Sequence, residues 1–129
     1  GNFIHISVPC KSRMPIRIAP RCASFKRLRE FFIRIGVTRP FLTGDSDFDQ
    51  DFEIECDKPE PYRAVFKDRQ VIENIRYLLS LGDKRRPWCT RLSARDYRLA
   101  LELPTSARKD LNDFASRTIE TLTRLAALI

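Results

Sequence analysis

The sequence predicts an α+β fold, a mainly antiparallel sheet with about three helices packed on one face, and three observations carry that expectation. Short stretches alternate apolar and polar residues with a period of two. Longer stretches place apolar residues at helical spacing. The two kinds follow one another in the order ββα(β)βαββα, not in the strict strand–helix alternation of a parallel sheet.

The first strand is expected over residues 3–8, where Ile4, Ile6 and Val8 alternate with Phe3, His5 and Ser7 before Pro9. A short second strand, Ile16, Arg17 and Ile18, lies between Pro15 and Pro20, and the polar turn at 11–13 suggests that it forms a hairpin with the first. From Ser24 as N-cap, the residues Phe25, Leu28, Phe31, Phe32 and Ile35 fall on one helical face, and Gly36 ends the pattern. The alternation of Phe31, Ile33, Ile35 and Val37 keeps a strand open as a competitor there. A further short strand is expected over 37–43.

Residues 45–57 are acidic at every odd position, while Phe48, Phe52, Ile54 and Cys56 fall on even ones. An extended chain puts all seven carboxylates on one face, so a strand is the expectation. After Pro59 and Pro61 a short helical segment is expected over 62–67. Asp68 then caps a core helix whose stripe is Val71, Ile72, Ile75, Leu78, Leu79 and Leu81, stopped at Gly82. A hairpin of 88–92 against 97–103 follows, with Leu99, Leu101 and Leu103 alternating with Arg98, Ala100 and Glu102. Thr105 or Ser106 caps the last helix, with Leu111, Phe114, Ala115, Thr118, Leu122, Leu125 and Ile129 on its apolar face.

Size and composition bound the rest. A chain of 129 residues, 43% hydrophobic and 32% charged, is long enough to bury a core without disulfides or metals. It reads as one domain over residues 2–129, part of a longer chain, with Gly1 the remnant of a cleaved tag. No run approaches the roughly 18 apolar residues of a membrane span. The net charge of +7 is uneven, at +8 over residues 1–39, −7 over 40–61 and +6 beyond, so much of it can be satisfied internally.

The residue inventory argues against the common catalytic and ligand-binding motifs. Cys10, Cys22, Cys56 and Cys89 are too far apart for a paired zinc pattern or a Cys-x-x-Cys redox site, which leaves reduced thiols as the simpler reading and a Cys10–Cys22 disulfide as its alternative. Asp45, Asp47 and Asp49 match the first ligand positions of a calcium loop, but Gln50 and Cys56 stand where its glycine and glutamate belong. His5, alone of its kind, lies in a strand without a neighbouring nucleophile motif. The four glycines are isolated, so no phosphate-cradling loop is present. No catalytic, metal or cofactor residue is therefore assigned, and no cofactor is expected.

Arginine outnumbers lysine 18 to 6, a bias suited to bidentate contacts with phosphate or carboxylate. Arg13, Arg17, Arg21, Arg27, Arg29 and Arg34 form the candidate anion or partner surface. Asp49, Asp51, Glu53 and Glu55 form the candidate acidic partner face, with Phe52 and Ile54 buried behind it.

Residues 41–103 also resemble, through Phe48-Asp49-Gln50-Asp51-Phe52-Glu53-Ile54, the 75–79 helix stripe and the 91–103 hairpin, the soluble domain of bacterial membrane-anchored proteins of unknown function. That resemblance implies no activity and assigns no residue a role. The resulting expectation is a non-catalytic binding or regulatory domain, with an arginine-based nucleic-acid-binding domain as the alternative. The expected partner is a protein or an anionic membrane surface. The expected location is the cytoplasm, at the inner face of a membrane to which a segment upstream of Asn2 tethers the domain, since positive charge beside a spanning segment marks the side that stays inside.

Overall fold

A computed structural model describes residues 3–13, 15–21, 41–56, 58–104 and 111–129. The expected helix over 24–35, the strand residues 37–40 and the caps Thr105 and Ser106 lie outside them. Five strands, β1 (Phe3–Pro9), β2 (Ile16–Pro20), β3 (Phe52–Cys56), β4 (Arg91–Arg95) and β5 (Arg98–Pro104), form one sheet in the order β1-β5-β4-β2-β3. Every neighbouring pair is antiparallel. Among the described residues the helices are α1 (Ser46–Asp51), α2 (Glu60–Arg63), α3 (Arg69–Ser80) and α4 (Leu111–Leu128). The predicted fold class is what the structure shows.

β5 organises the sheet. Leu99, Leu101 and Leu103 are buried on its inner side, and β1 meets them through Val8, Ile6 and Ile4 over seven register pairs. The expected β1–β2 hairpin is therefore not formed. β2 pairs instead with β4 on one side and β3 on the other. The β4–β5 hairpin forms as expected, with its strand starting at Arg91. Residues 88 and 89, expected as the beginning of that strand, belong instead to a 3-10 turn, Pro87–Cys89. Asp96 and Tyr97 close the hairpin with φ of 50° and 66°, the left-handed geometry that a two-residue turn needs to match strand twist.

α3 begins at Asp68, whose carboxylate accepts from the Gln70 amide, and buries Val71, Ile72, Ile75, Leu78 and Leu79. α4 runs alongside it and lays Thr118, Leu122, Leu125 and Ala126 against the core. Gly82, just after α3, is fixed by contact, because a Cβ there would sit 1.8 Å from Thr90 Oγ1. The segment expected over 62–67 is split into α2 and a 3-10 turn at Val65–Lys67, burying Tyr62 and Phe66.

The acidic stretch departs most from expectation. Residues 46–51 are helical, and the extended chain begins only at Phe52. Asp45 caps the helix by accepting from the Phe48 amide at 3.2 Å, and Asp47 and Asp49 sit in the first turn, where the helix dipole favours negative charge. Phe48 is thereby fully buried and packs on Phe52, one helical turn on, with ring centroids 4.8 Å apart. Alternation of acids described the sequence here, but capping and the Phe48–Phe52 spacing determine the backbone.

Candidate functional site

α3 and α4 cover the sheet face formed by the buried aliphatic residues of the five strands, and strand geometry sends the alternate residues to the opposite face. That second face carries Glu53 and Glu55 from β3, Arg17 from β2, and Arg91, Ser93 and Arg95 from β4. It is completed by Arg98, Ala100 and Glu102 from β5 and by His5 and Ser7 from β1. The mixture is polar and rich in arginine.

Its centre is a shallow groove of about 400 Å³ lined by Arg17, Glu55, Arg91, Ser93, Arg95 and Glu102, among others. Arg17 stands directly opposite Ser93 in the β2–β4 register. Arg17 Nη1 lies 3.7 Å from Glu55 Oε2, with both side chains more than half exposed. Arg95 faces Arg98 across the hairpin end, a like-charge pairing that costs stability. Arg95 reaches Asp96 at 3.5 Å, and Arg98 Nη2 donates to Ser7 Oγ at 3.0 Å. Arg91 faces Glu102, yet that carboxylate lies 3.5 Å from His5 Nδ1, and Arg91 has no ion pair with any described residue.

The predicted basic surface is divided. Arg17 lies in the groove and Arg13 is exposed on the loop after β1. Arg21 is structural, since its Nε donates to the Asp49 carbonyl at 2.7 Å and the Phe52 carbonyl at 3.2 Å, tying the end of β2 to α1. Arg27, Arg29 and Arg34 lie outside the described residues. The predicted acidic face is divided too, and the helix is the reason. Glu53 and Glu55 are on the open sheet face, but the Asp49 carboxylate accepts from the Thr43 amide, the Thr43 hydroxyl and the Gly44 amide, and Asp51 pairs with Arg76 at 2.9 Å. Ile54 is buried behind the strand portion, as expected, whereas Phe52, expected to be buried too, is only half-buried. Arg91, Ser93, Arg95 and Arg98 were not singled out from the sequence. Their alternation with Leu92, Ala94 and Leu99 was the available signal.

A larger cleft, about 990 Å³, lies between α1 and α3. Two of its lining arginines are matched within the chain. Asp51 holds Arg76, whose guanidinium also lies over the Phe48 and Phe52 rings at 5.7 and 5.4 Å, and Arg69 pairs with Glu73 at 3.2 Å. The smaller groove differs in gathering three arginines, Arg17, Arg91 and Arg95, from two neighbouring strands around Ser93.

Beyond these surfaces, Tyr62 and Ser12 share a buried hydrogen bond at one end of the sheet. Burial raises the Tyr62 pKa above its ordinary 10.0, against the opposing pull of that hydrogen bond. Cys10, Cys56 and Cys89 are half-buried and in no disulfide, so Cys10 does not form the bridge with Cys22 that the sequence left open. Among the described residues no three His, Cys, Asp or Glu side chains lie close enough to share a metal ion, and no helix is long and apolar enough to cross a membrane.

No protein-family model, curated protein or solved structure matches the chain.

Proposed function

We propose that this chain is a binding or regulatory domain without catalytic function, and that it engages an anionic partner through the sheet face opposite α3 and α4. The observation that supports this reading is the concentration of Arg17, Arg91, Arg95 and Arg98 on three adjacent strands of one exposed face. Packing does not require these residues there, and facing Arg95 with Arg98 works against stability. Arginine keeps its charge throughout the physiological pH range, and its planar fork suits carboxylate and phosphate acceptors. The same reading puts the domain in the cytoplasm at the inner face of a membrane, a placement supported by the +8 charge of residues 1–39.

Retention on a heparin column tests the face directly. The triple variant Arg17→Ala/Arg91→Ala/Arg95→Ala is expected to elute at clearly lower salt than a charge-matched control, Arg63→Ala/Arg69→Ala/Arg85→Ala, whose residues lie elsewhere. Coincident elution would show that only net charge matters and would defeat the reading. Fractionation of the native protein tests the placement, since recovery away from membranes at physiological salt counts against it.

A further inference from the structure

We propose that the groove binds a phosphate group with three terminal oxygens, free or as a monoester, between Arg17, Arg91 and Arg95 over Ser93. This rests on the open-face reading and goes further by naming the ligand's chemistry.

The register supplies the geometry. Arg91 and Arg95 flank Ser93 on the same strand face, each about 6.6 Å along the strand. Arg17 is directly opposite Ser93, and so lies diagonal to both at about 7–8 Å. Arginine side chains span such gaps easily, so three guanidinium groups can close around one compact anion. Ser93 is half-buried and small, which leaves room beneath the anion and offers one hydroxyl donor.

The neighbouring charges select for a compact dianion. Glu53 and Glu55 border the arginine strip on β3, and Glu102 borders it on β5. From Arg91 to Arg95 the strip is five residues long, about 13 Å end to end, enough for roughly two successive backbone phosphates. Non-specific nucleic-acid binding draws its affinity from many such contacts, so an extended polyanion is held here by only a few of them, readily removed by salt, and meets carboxylates on both sides. A diester, whether in nucleic acid or in a phospholipid headgroup, has only two terminal oxygens and leaves one of the three arginines without a partner. A phosphate or its monoester has at least three and carries about −1.5 to −2 at pH 7. The Arg17–Glu55 contact is no serious competitor, being exposed on both sides and 3.7 Å long.

Amide chemical shifts of the whole chain, titrated at constant ionic strength with phenyl phosphate, inorganic phosphate and diethyl phosphate, test the assignment. The expected result is saturable movement of the Ser93 amide and its β2 neighbours, with phenyl phosphate at least tenfold tighter than diethyl phosphate. Arg91→Gln should weaken it at least tenfold, while Arg85→Gln leaves it unchanged and both variants keep the parent spectrum elsewhere. Equal affinity for inorganic phosphate assigns the site to the free ion, and tighter phenyl phosphate assigns it to esterified groups. Equal binding of the monoester and the diester, or indifference to Arg91→Gln, overturns the proposal. If phosphate fails while the heparin shift persists, the open-face reading stands and this inference alone falls.

Discussion

The two faces of the sheet are made by the same five strands, residue by alternate residue, and they follow opposite rules. Toward the helices, Leu92, Leu99, Leu101 and Leu103 are nearly or wholly inaccessible, and each is held by its cross-strand and helix neighbours at once. On the other side Arg17, Arg95 and Arg98 stay in solvent and make single contacts. Stability is therefore concentrated in one face, and recognition is free to occupy the other. A substitution on the covered face must displace packed atoms, whereas one on the open face exchanges a solvated charge for water.

The sharpest test of that division is Leu101→Ala. Leu101 is 0% exposed and lies between Ile6 and Leu92, so the cavity should cost about 2–5 kcal/mol in urea denaturation. A loss under 1 kcal/mol would mean that β5 is not the centre of the core. Next is Gly82→Ala, where the new methyl group would collide with Thr90 Oγ1 and lie 2.8 Å from Thr90 Cβ. Overpacking of this kind costs about 1–3 kcal/mol. Adding Thr90→Ala should restore part of the loss, because it removes the Oγ1 clash, though not the Cβ contact, together with a buried hydroxyl without a hydrogen-bond partner; strictly additive losses would rule out the contact as cause.

Tyr62→Phe is smaller, about 1 kcal/mol at neutral pH, from the lost hydrogen bond to Ser12. Its signature is pH dependence. Because burial raises the phenol's pKa in the folded state, the unfolded chain loses that proton first. The contribution of Tyr62 is thus fully present below its ordinary pKa of 10.0 and declines as pH rises above it. Tm measured from pH 8 to 11 should fall less steeply in the variant. Parallel curves would remove Tyr62 from the alkaline transition. The smallest effect belongs to the open face. Arg17→Ala should change stability by less than about 1 kcal/mol, and raising salt should shrink the difference further. A loss as large as that of Leu101→Ala would abolish the distinction between the faces.

Much of this arrangement was legible in the chain, for reasons that can be named. Period two in Ile4, Ile6 and Val8 and in Leu99, Leu101 and Leu103 located β1 and β5, and the stripe from Val71 to Leu79 with its Asp68 cap located α3. These signals are local, set by which residues one strand or one helix turn places side by side. The acidic alternation was local as well, yet it misled. Seven acids at odd positions specify where charge can go only if the chain is extended, and Asp45 with Phe48 and Phe52 favours a helix first. The open face was half visible. Arg17 and Glu55 could be named, but not that they would meet, nor that Arg91 and Arg95 would join them.

By itself, then, the sequence determined the fold class, the bounds of the core helix and which side of each strand turns inward, because apolar residues at fixed spacing can be buried in few ways. Tertiary structure decided the strand order. β1 could have paired with β2 beside it, but the fully buried leucine row of β5 offered a longer apolar partner, and burial of that row outweighed the shorter loop. With β1 drawn to β5, β2 was placed against β4, and only that pairing sets Arg17 opposite Ser93 and between Arg91 and Arg95. Those residues lie more than seventy positions apart in the chain, so no local pattern could have brought them together.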